Sequence, residues 1–181
     1  MNPARRKMFP GTLNLFQRTM LRWRDLYPYN AVHVAHVAHA FVADEVRAAI
    51  AEVAEARGIT GFALDERRRR FVYRGGAPKF ELAILAGGSQ RECDQALADE
   101  IASQLNRGFD VGEPMRYFVL TTTEGFMLGI AYDHFIAGGD SVASLLGAIV
   151  MRIVQPAGGH TNVPAAPALY PSTYKALARR R

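Results

Sequence analysis

The sequence predicts an α+β fold, with helices and short strands in one chain. Three observations predict it. Segments with apolar residues at helical spacing alternate along the chain with short segments whose apolar residues occupy both faces of a strand. Glycine pairs and short polar stretches separate these segments, as turns do. The 181 residues, 49% of them apolar, are enough to bury about two thirds of their extended surface in one core. We therefore expect one compact domain.

Cysteine usage and hydropathy limit the class of protein. Cys93 is the single cysteine, so the chain can form no internal disulfide and offers no pair of thiolates for zinc, which suits a reducing compartment. The longest uncharged, mostly apolar stretch, 141–151, is shorter than the ~20 residues that a membrane span needs. The segment Leu13–Phe16 is too brief for the apolar region of a secretory signal. We expect a cytoplasmic protein without a membrane span.

Positive charge is concentrated in three runs, 5–7, 67–70 and 179–181. The chain has 22 basic and 17 acidic side chains, a formal charge of +5. Such runs suit phosphate-bearing or acidic partners, including coenzyme A, an acidic carrier protein or nucleic acid, and they are equally compatible with a solvated loop and two frayed tails. Because no C2H2, RNP-type or KH-type motif accompanies the arginines, we expect no nucleic-acid partner.

The N-terminal third predicts a helix, a strand and a second helix. Asn14 and Gln17 form a capping box, and the first helix ends near Tyr27-Pro28. Its apolar face has the residues Leu13, Phe16, Met20 and Trp23. The charge-free segment 31–42 predicts a buried strand, followed by a helix that Asp44 caps and that Gly58 ends. That helix has the apolar stripe Val46, Ala49, Ile50 and Val53.

The middle of the chain predicts short strands and a third helix. Alternation across 71–74, the Gly75-Gly76 pair and the shared face of Phe80, Leu82 and Ile84 together predict a hairpin. Ser89 and Glu92 form a capping box for a helix whose apolar residues, Cys93, Leu97, Ile101 and Leu105, recur every four positions. We therefore expect Cys93 to be packed.

The C-terminal part predicts two strands, 115–121 and 125–132, followed by a glycine-containing loop and a strongly amphipathic helix. The loop begins at Asp133-His134. Gly138 and Gly139 let the backbone turn, and the following helix directs its first amide groups toward the loop, where a developing negative charge could be held. A histidine fixed at this place can accept a proton, so His134 is the candidate base.

Two motifs carry a family resemblance. The segment 105–116, LNRGFDVGEPMR, resembles the LNxxFD…PLR run of nonribosomal-peptide condensation domains and related coenzyme A-dependent acyltransferases. In that superfamily a hairpin follows and ends in HHxxxDGxS, which aligns here with Asp133, His134, Gly138, Gly139 and Ser141. The resemblance covers about 13–154 and implies a chloramphenicol acetyltransferase-like half-domain, an α/β sandwich with a mixed, mostly antiparallel sheet and helices packed on it.

The aligned motif departs from the family at two positions. Asp133 stands where the family has its first histidine, whereas the second, usually taken as catalytic, is retained as His134. Gly138 replaces the motif aspartate, which in the family is thought to hold the loop through an arginine. Asp140 is the residue that takes over this role if the loop is re-spaced. We therefore treat Asp133, Gly138, Gly139 and Asp140 as loop-shaping positions.

A complete family member is about twice as long and has a DFGWG motif in its second half, which this sequence lacks. We therefore expect an N-terminal lobe over 1–154 and a linker or crossover arm, rich in Pro, Ala and Gly, over 155–181. The superfamily places its site between two such halves in one chain, or between subunits of a trimer. The partner is then a second lobe or a homo-oligomer, with self-association expected, or the chain is a truncated fragment.

The resemblance implies acyl transfer. The acyl thioester, on coenzyme A or on the phosphopantetheine of a carrier protein, is a substrate, and no bound cofactor is implied. His134 accepts the proton of an amine, alcohol or thiol, and helix-terminal amides near Ser141 bind the oxyanion. Ser141 is also interpretable as an ordinary residue of the helix start, and His134 as a packed histidine in a degenerate loop. The alternative function is an inactive half-domain that binds a carrier protein or a second subunit.

Other chemistry-bearing residues predict no site. His33, His36 and His39 do not predict a metal site, because alternation along a strand directs His36 away from the other two, and no HExxH glutamate is present. Gly75-Gly76 and Gly87-Gly88 lack the context of a phosphate-binding loop and are interpreted as turns.

Overall fold

The computed structural model describes residues 9–24 and 26–155. The basic runs at 5–7 and 179–181, and the predicted arm from 156 onward, lie outside these residues. The described elements, in chain order, are β1 (Phe9–Thr12), α1 (Leu15–Arg24), β2 (Asn30–Val37), α2 (Ala43–Ala56), β3 (Phe62–Asp65), β4 (Arg70–Tyr73), β5 (Leu82–Leu85), α3 (Gln90–Asn106), β6 (Met115–Thr122), β7 (Gly125–Asp133) and α4 (Gly139–Val154).

The main sheet has four strands in the order β2-β7-β6-β5. The β6–β7 hairpin and the β2–β7 pair are antiparallel, whereas β5 lies parallel to β6. Because side chains alternate between the faces of a strand, one face of this sheet meets α2 and α4, where residues such as Leu128, Ile130 and Ile149 form the main core. The predicted α+β architecture, a mixed sheet with helices packed on it, is confirmed.

A second sheet has three strands in the order β1-β4-β3. Its hairpin is β3–β4, whose turn is Glu66–Arg69. The predicted hairpin across Gly75-Gly76 is therefore wrong: after β4 the chain crosses to the main sheet, where β5 pairs with β6. The two glycines have φ angles of 73° and 101°, so they form a bend in this crossing segment.

The helix ends follow the capping signals with one exception. Ser89 donates its backbone N–H to the Glu92 carboxylate at 2.7 Å, so the predicted capping box of α3 is confirmed, and Cys93 is 4% exposed. Gly58, with φ 68°, follows the last turn of α2 as predicted. The prediction that Asp44 caps α2 is wrong: Val42 is the N-cap, and Asp44 lies in the first turn, where its charge is favourable to the helix dipole.

Two apolar segments are less buried than their composition predicts. The strand predicted over 31–42 ends at Val37 and is mostly half-buried, because β2 is the edge strand of the main sheet. In α1, Met20 is 4% exposed, but Phe16 and Trp23 of the predicted apolar face are 38% and 51% exposed. The apolar side of α1 is thus only partly covered by the described chain.

None of the described helices is long and apolar enough to cross a membrane.

Candidate active site

The loop between β7 and α4 is anchored by its own apolar residues. Phe135 and Ala137 are fully buried, and Ile136 is 3% exposed. The N–H of His134 donates to the carbonyl of Tyr29 at 2.9 Å, which ties the loop to the segment before β2. The loop backbone is therefore fixed between the main core and the start of β2, so the side chain of His134 projects from a rigid support.

One ring nitrogen of His134 is occupied by a hydrogen bond within the loop. Nδ1 lies 3.2 Å from the carbonyl oxygen of Ala137. Since a carbonyl can only accept, this contact assigns the hydrogen of the neutral ring to Nδ1 and leaves the lone pair on Nε2. The geometry thus selects the tautomer in which Nε2 is able to accept a proton.

Aromatic rings surround His134. Tyr29 stacks on the imidazole at 5.5 Å between centroids, and Phe16 and Tyr132 meet it edge-on at 6.3 and 5.9 Å. Trp23 contacts Tyr29 in turn at 6.2 Å. Phe16, Trp23 and Tyr29, here called the aromatic face, are each more than a third exposed. His134 is half-buried within a contiguous aromatic surface that the described residues leave open to solvent.

Asp133, the residue in the place of the first motif histidine, forms a buried ion pair with Arg24 of α1. Its carboxylate lies 3.3 Å from the guanidinium, and its side chain is 3% exposed. Burial raises the pKa of Asp133, against the opposing effects of the Phe135 N–H, Arg24 and His134. Arg24 also donates to the carbonyl of Phe109 at 3.0 Å. The pair therefore joins α1, the loop and the segment after α3.

Gln17 is a second polar link between α1 and the loop. Its side chain completes the capping box with Asn14, accepting the Asn14 N–H at 3.1 Å, and donates through Nε2 to the carbonyl of Phe135 at 3.0 Å. Gln17 is 2% exposed. Sequence reasoning assigned Gln17 only to the cap and gave Arg24 no role, because both loop partners lie more than a hundred positions away.

Replacing Gln17 by Glu separates the two functions of this side chain. Glutamate still accepts the Asn14 N–H, but it has no donor for the buried carbonyl of Phe135 and places a carboxylate beside it. We expect Gln17→Glu to lower the free energy of unfolding by about 1–3 kcal/mol, the cost of an unsatisfied buried acceptor. Urea denaturation measures this decrease in the free energy of unfolding. Gln95→Glu, on the exposed side of α3, is the control, and equal losses in both variants would contradict the anchoring function.

The remaining motif positions form the start of α4. Gly138 is the N-cap, with φ −81° and ψ 154°, an extended conformation that any residue adopts. Gly139 lies beside His33, with Nε2 3.6 Å from where a Cβ would stand. Asp140 is exposed and makes no ion pair with the described residues, so the arginine contact expected of it is not seen there. The loop's ion pair is instead that of Asp133.

Ser141 is 8% exposed, and its N–H donates to the carbonyl of Gly138 at 3.1 Å. The N–H groups of Gly139 and Asp140, the first amides of α4, donate to no acceptor within 9–24 and 26–155. Such amides carry the positive end of the helix dipole. They are the donors nearest to Ser141 that remain available for a bound anion.

The motif residue Arg116 supports the fold rather than the loop. It is 6% exposed and donates to the side chain of Gln104 and to the carbonyls of Gly108 and Arg107, all within 2.9 Å. Its guanidinium lies 3.7 Å from the ring centre of Phe109. Burial lowers the pKa of Arg116 from its ordinary value. The LNxxFD…PLR resemblance thus marks a buried polar cluster under the segment that Arg24 also binds.

The other histidines do not form a metal site within the described residues, where no group of three possible ligands is found. His33 contacts the hydroxyl of Tyr132 through Nε2 at 3.3 Å, whereas His36 is exposed. A cleft of about 630 Å³ is lined by Ile136 but not by His134. In the described chain, His134 borders the open aromatic face.

Solved structures show what the chain resembles. The starter condensation domain of rhizomide synthetase RzmA matches with a TM-score of 0.68 at 16% identity, over 82% of this chain and 38% of that domain. A variant of the same domain in complex with C8-CoA matches with a TM-score of 0.67 at 14% identity, over 84% of this chain and 37% of that domain. The epimerization domain from the third module of tyrocidine synthetase B matches with a TM-score of 0.65 at 16% identity, over 83% of this chain and 36% of that domain.

These likenesses establish the fold, that of a condensation domain, and confirm the predicted resemblance at that level. The chain spans little more than a third of the length of the domains it matches. No family model and no curated protein matches the sequence.

Proposed function

We propose that the protein contributes the catalytic lobe of an acyltransferase that moves an acyl group from a thioester to an amine, alcohol or thiol. The single observation that carries the proposal is the contact of His134 Nδ1 with the Ala137 carbonyl, which selects the tautomer of the neutral ring whose basic nitrogen is Nε2. One of the similar domains is described in complex with C8-CoA, which supports a coenzyme A or phosphopantetheine thioester as donor.

The reaction needs one base and one anion-binding group. As an amine attacks the thioester carbonyl, the new C–N bond forms and Nε2 of His134 takes the proton that the nitrogen loses. The tetrahedral oxyanion then collapses, the C–S bond breaks, and the imidazolium returns its proton to the leaving thiolate. The products are an amide and a free thiol, and no covalent intermediate on the protein is required.

The start of α4 supplies the anion-binding group in this proposal. The N–H groups of Gly139 and Asp140 have no acceptor in the part of the chain that the structure describes, and the neighbouring N–H of Ser141 already donates to Gly138. Preorganised amides of this kind stabilise an oxyanion without reorganising during the reaction. Ser141 then supports the helix start on which these donors depend, which is a narrower function than direct substrate binding.

The aromatic face is proposed as the surface that a second lobe, or a second copy of this chain, covers. Exposed aromatic residues in contact with one another and with a candidate base are typical of an interface and not of an ordinary solvent-facing helix. The chain also spans only about 37% of the length of the similar domains. Covering this face would exclude water from His134.

A double substitution on the aromatic face tests this assembly. We expect Phe16→Ser with Trp23→Ser to remove acyl transfer almost entirely and to shift sedimentation at micromolar concentration toward the monomer, because the apolar area that associates is lost. Tm should change little, since both side chains are more than a third exposed. Met151→Ser, at a similarly exposed position on α4, is the matched control. A double variant that keeps both assembly and activity contradicts the proposal.

The second candidate function is an inactive half-domain that binds a carrier protein or a second subunit. The observation that favours it is Gly138, which leaves the loop without the carboxylate that the motif has at this position. The Arg24–Asp133 pair and Gln17 hold the loop in the described structure, which favours the enzyme.

An activity assay distinguishes the two functions. The purified protein is incubated with an amine acceptor and either acyl-coenzyme A or an acyl-loaded carrier protein, once alone and once together with a separately expressed second half. The enzyme proposal expects free thiol and acylated acceptor, both measured by mass spectrometry. Binding of the carrier protein without turnover in any combination would favour the binding module.

A further inference from the structure

We propose that a cleft between α1 and the β3–β4 turn binds a ligand that carries at least two phosphate groups. The cleft, about 270 Å³ in volume, is here called the arginine cleft. It is lined by Leu13, Arg18, Leu21, Arg22, Glu66, Arg67 and Arg69. The proposal stands independently of the chemistry assigned to His134.

The arginine cleft has a strongly positive lining. Four arginines and one glutamate line it, so its formal charge is +3. None of these four guanidinium groups makes an ion pair or a side-chain hydrogen bond with the residues 9–24 and 26–155. Like charges gathered in one concavity repel each other, and an anion that enters it is attracted by all of them.

Arg68 shows that an arginine of the basic run 67–70 does not line the arginine cleft merely because it belongs to that run. It belongs to the same run, but it does not line the cleft and pairs with Asp65 at 3.7 Å. Arg18 and Arg22 come from a different element, α1, and lie one helical turn apart. The fold therefore brings together two groups of arginines that are about 45 residues apart in the sequence.

The backbone of the turn is fixed against the start of α1. The N–H of Leu13 donates to the carbonyl of Arg69 at 2.9 Å, and the N–H of Arg69 donates to the carbonyl of Glu66 at 3.1 Å. Arg69 has φ 56°, a left-handed conformation that is unfavourable for a residue other than glycine. These bonds hold the turn and α1 in one register, so the two arginine groups face a shared cleft.

The chemistry of the lining selects the ligand. Guanidinium groups bind phosphate oxygens in a bidentate manner, and a single phosphate monoester carries at most two negative charges, less than the +3 of the cleft. Leu13 and Leu21 give the same cleft an apolar part for the organic portion of the ligand. Coenzyme A and a free nucleoside bisphosphate both present this chemistry.

Isothermal titration calorimetry with the full chain tests the site. The probes are inorganic pyrophosphate, adenosine 3′,5′-bisphosphate, coenzyme A and a single-stranded oligonucleotide, each at low and at near-physiological salt. We expect binding that weakens with salt, and a loss of about tenfold or more in affinity in Arg18→Gln with Arg69→Gln, since each charge-assisted contact contributes that much. Arg68→Gln, the matched control from the same turn, should retain the wild-type affinity.

Either order of affinities supports the site and identifies its source. Coenzyme A binding tighter than the bisphosphate points to the acyl donor or its product, whereas a bisphosphate that binds as tightly as coenzyme A, or more tightly, points to a free phosphate compound. Three results would overturn the proposal: no binding by any probe, equal weakening by Arg68→Gln, or a much tighter complex with a single-stranded oligonucleotide, which would mark an extended polyanion surface.

Discussion

Replacing His134 by Asn is expected to lower the rate of acyl transfer by about 10²–10⁴-fold, the usual contribution of a positioned general base. Asparagine can still donate an N–H toward the Ala137 carbonyl, so the hydrogen bond within the loop is kept. It has no nitrogen lone pair that could take the place of Nε2. The loss should therefore appear in the rate constant of the chemical step, measured in single-turnover assays, while the free energy of unfolding in urea stays close to that of the wild type.

Two controls make this result specific. His36→Ala removes an exposed histidine from β2 and should leave the rate unchanged. His134→Ala removes both the base and the hydrogen bond to Ala137, so it should be at least as slow as His134→Asn. Equal turnover in the wild type and in His134→Asn would end the assignment of His134 as base and would leave the binding module as the better explanation of the fold.

The elements of the fold were predictable where the signal is local. The capping boxes of α1 and α3 each pair residues three positions apart, and the β6–β7 hairpin follows from two apolar segments joined by a short polar turn. The β3–β4 hairpin was missed because its turn is made of charged residues, with the left-handed position at Arg69. Gly75-Gly76 gave a stronger local turn signal, but a turn signal does not say which strands pair.

The candidate site was predictable only in part for a related reason. The motif around His134 is contiguous in sequence, so its position could be predicted. Gln17 and Arg24 hold the loop through partners 118 and 109 positions away, and no spacing rule reaches that far. Phe16 and Trp23 have the periodicity of core residues, yet they are exposed, because an apolar stripe does not distinguish a helix's own core from a surface that a partner covers.

Removing Arg24 is expected to have the largest effect on stability among single substitutions at the site. Arg24→Met keeps much of the side-chain volume but leaves the carboxylate of Asp133, 3% exposed, without its counter-charge. Breaking a buried pair in this way costs about 3–5 kcal/mol in the free energy of unfolding. Urea denaturation at neutral pH measures the loss. Arg152→Met, which breaks the exposed pair with Glu52, should cost less than about 1 kcal/mol.

The direction in which burial shifts the pKa of Asp133 determines how this loss depends on pH. Burial already raises the pKa of Asp133 in the folded wild type, so folding favours its protonated form. The stability that this group contributes is present at low pH and is lost as pH rises from the unfolded value through the folded pKa. Without Arg24 the folded pKa rises further, so the cost of Arg24→Met should shrink as the pH is lowered and Asp133 becomes neutral.

A double-mutant cycle separates the pair from the other contact of Arg24. Asp133→Asn removes the buried charge, and in that background Arg24→Met should cost far less than in the wild type, because only neutral-acceptor hydrogen bonds, such as that to the Phe109 carbonyl, are lost and no buried charge is left unpaired. The coupling between the two positions is then a large part of the single-variant loss. An Arg24→Met cost that is the same in both backgrounds and at every pH would mean that Arg24 stabilises the chain through Phe109 alone. The motif position at 133 would then have no part in holding the loop.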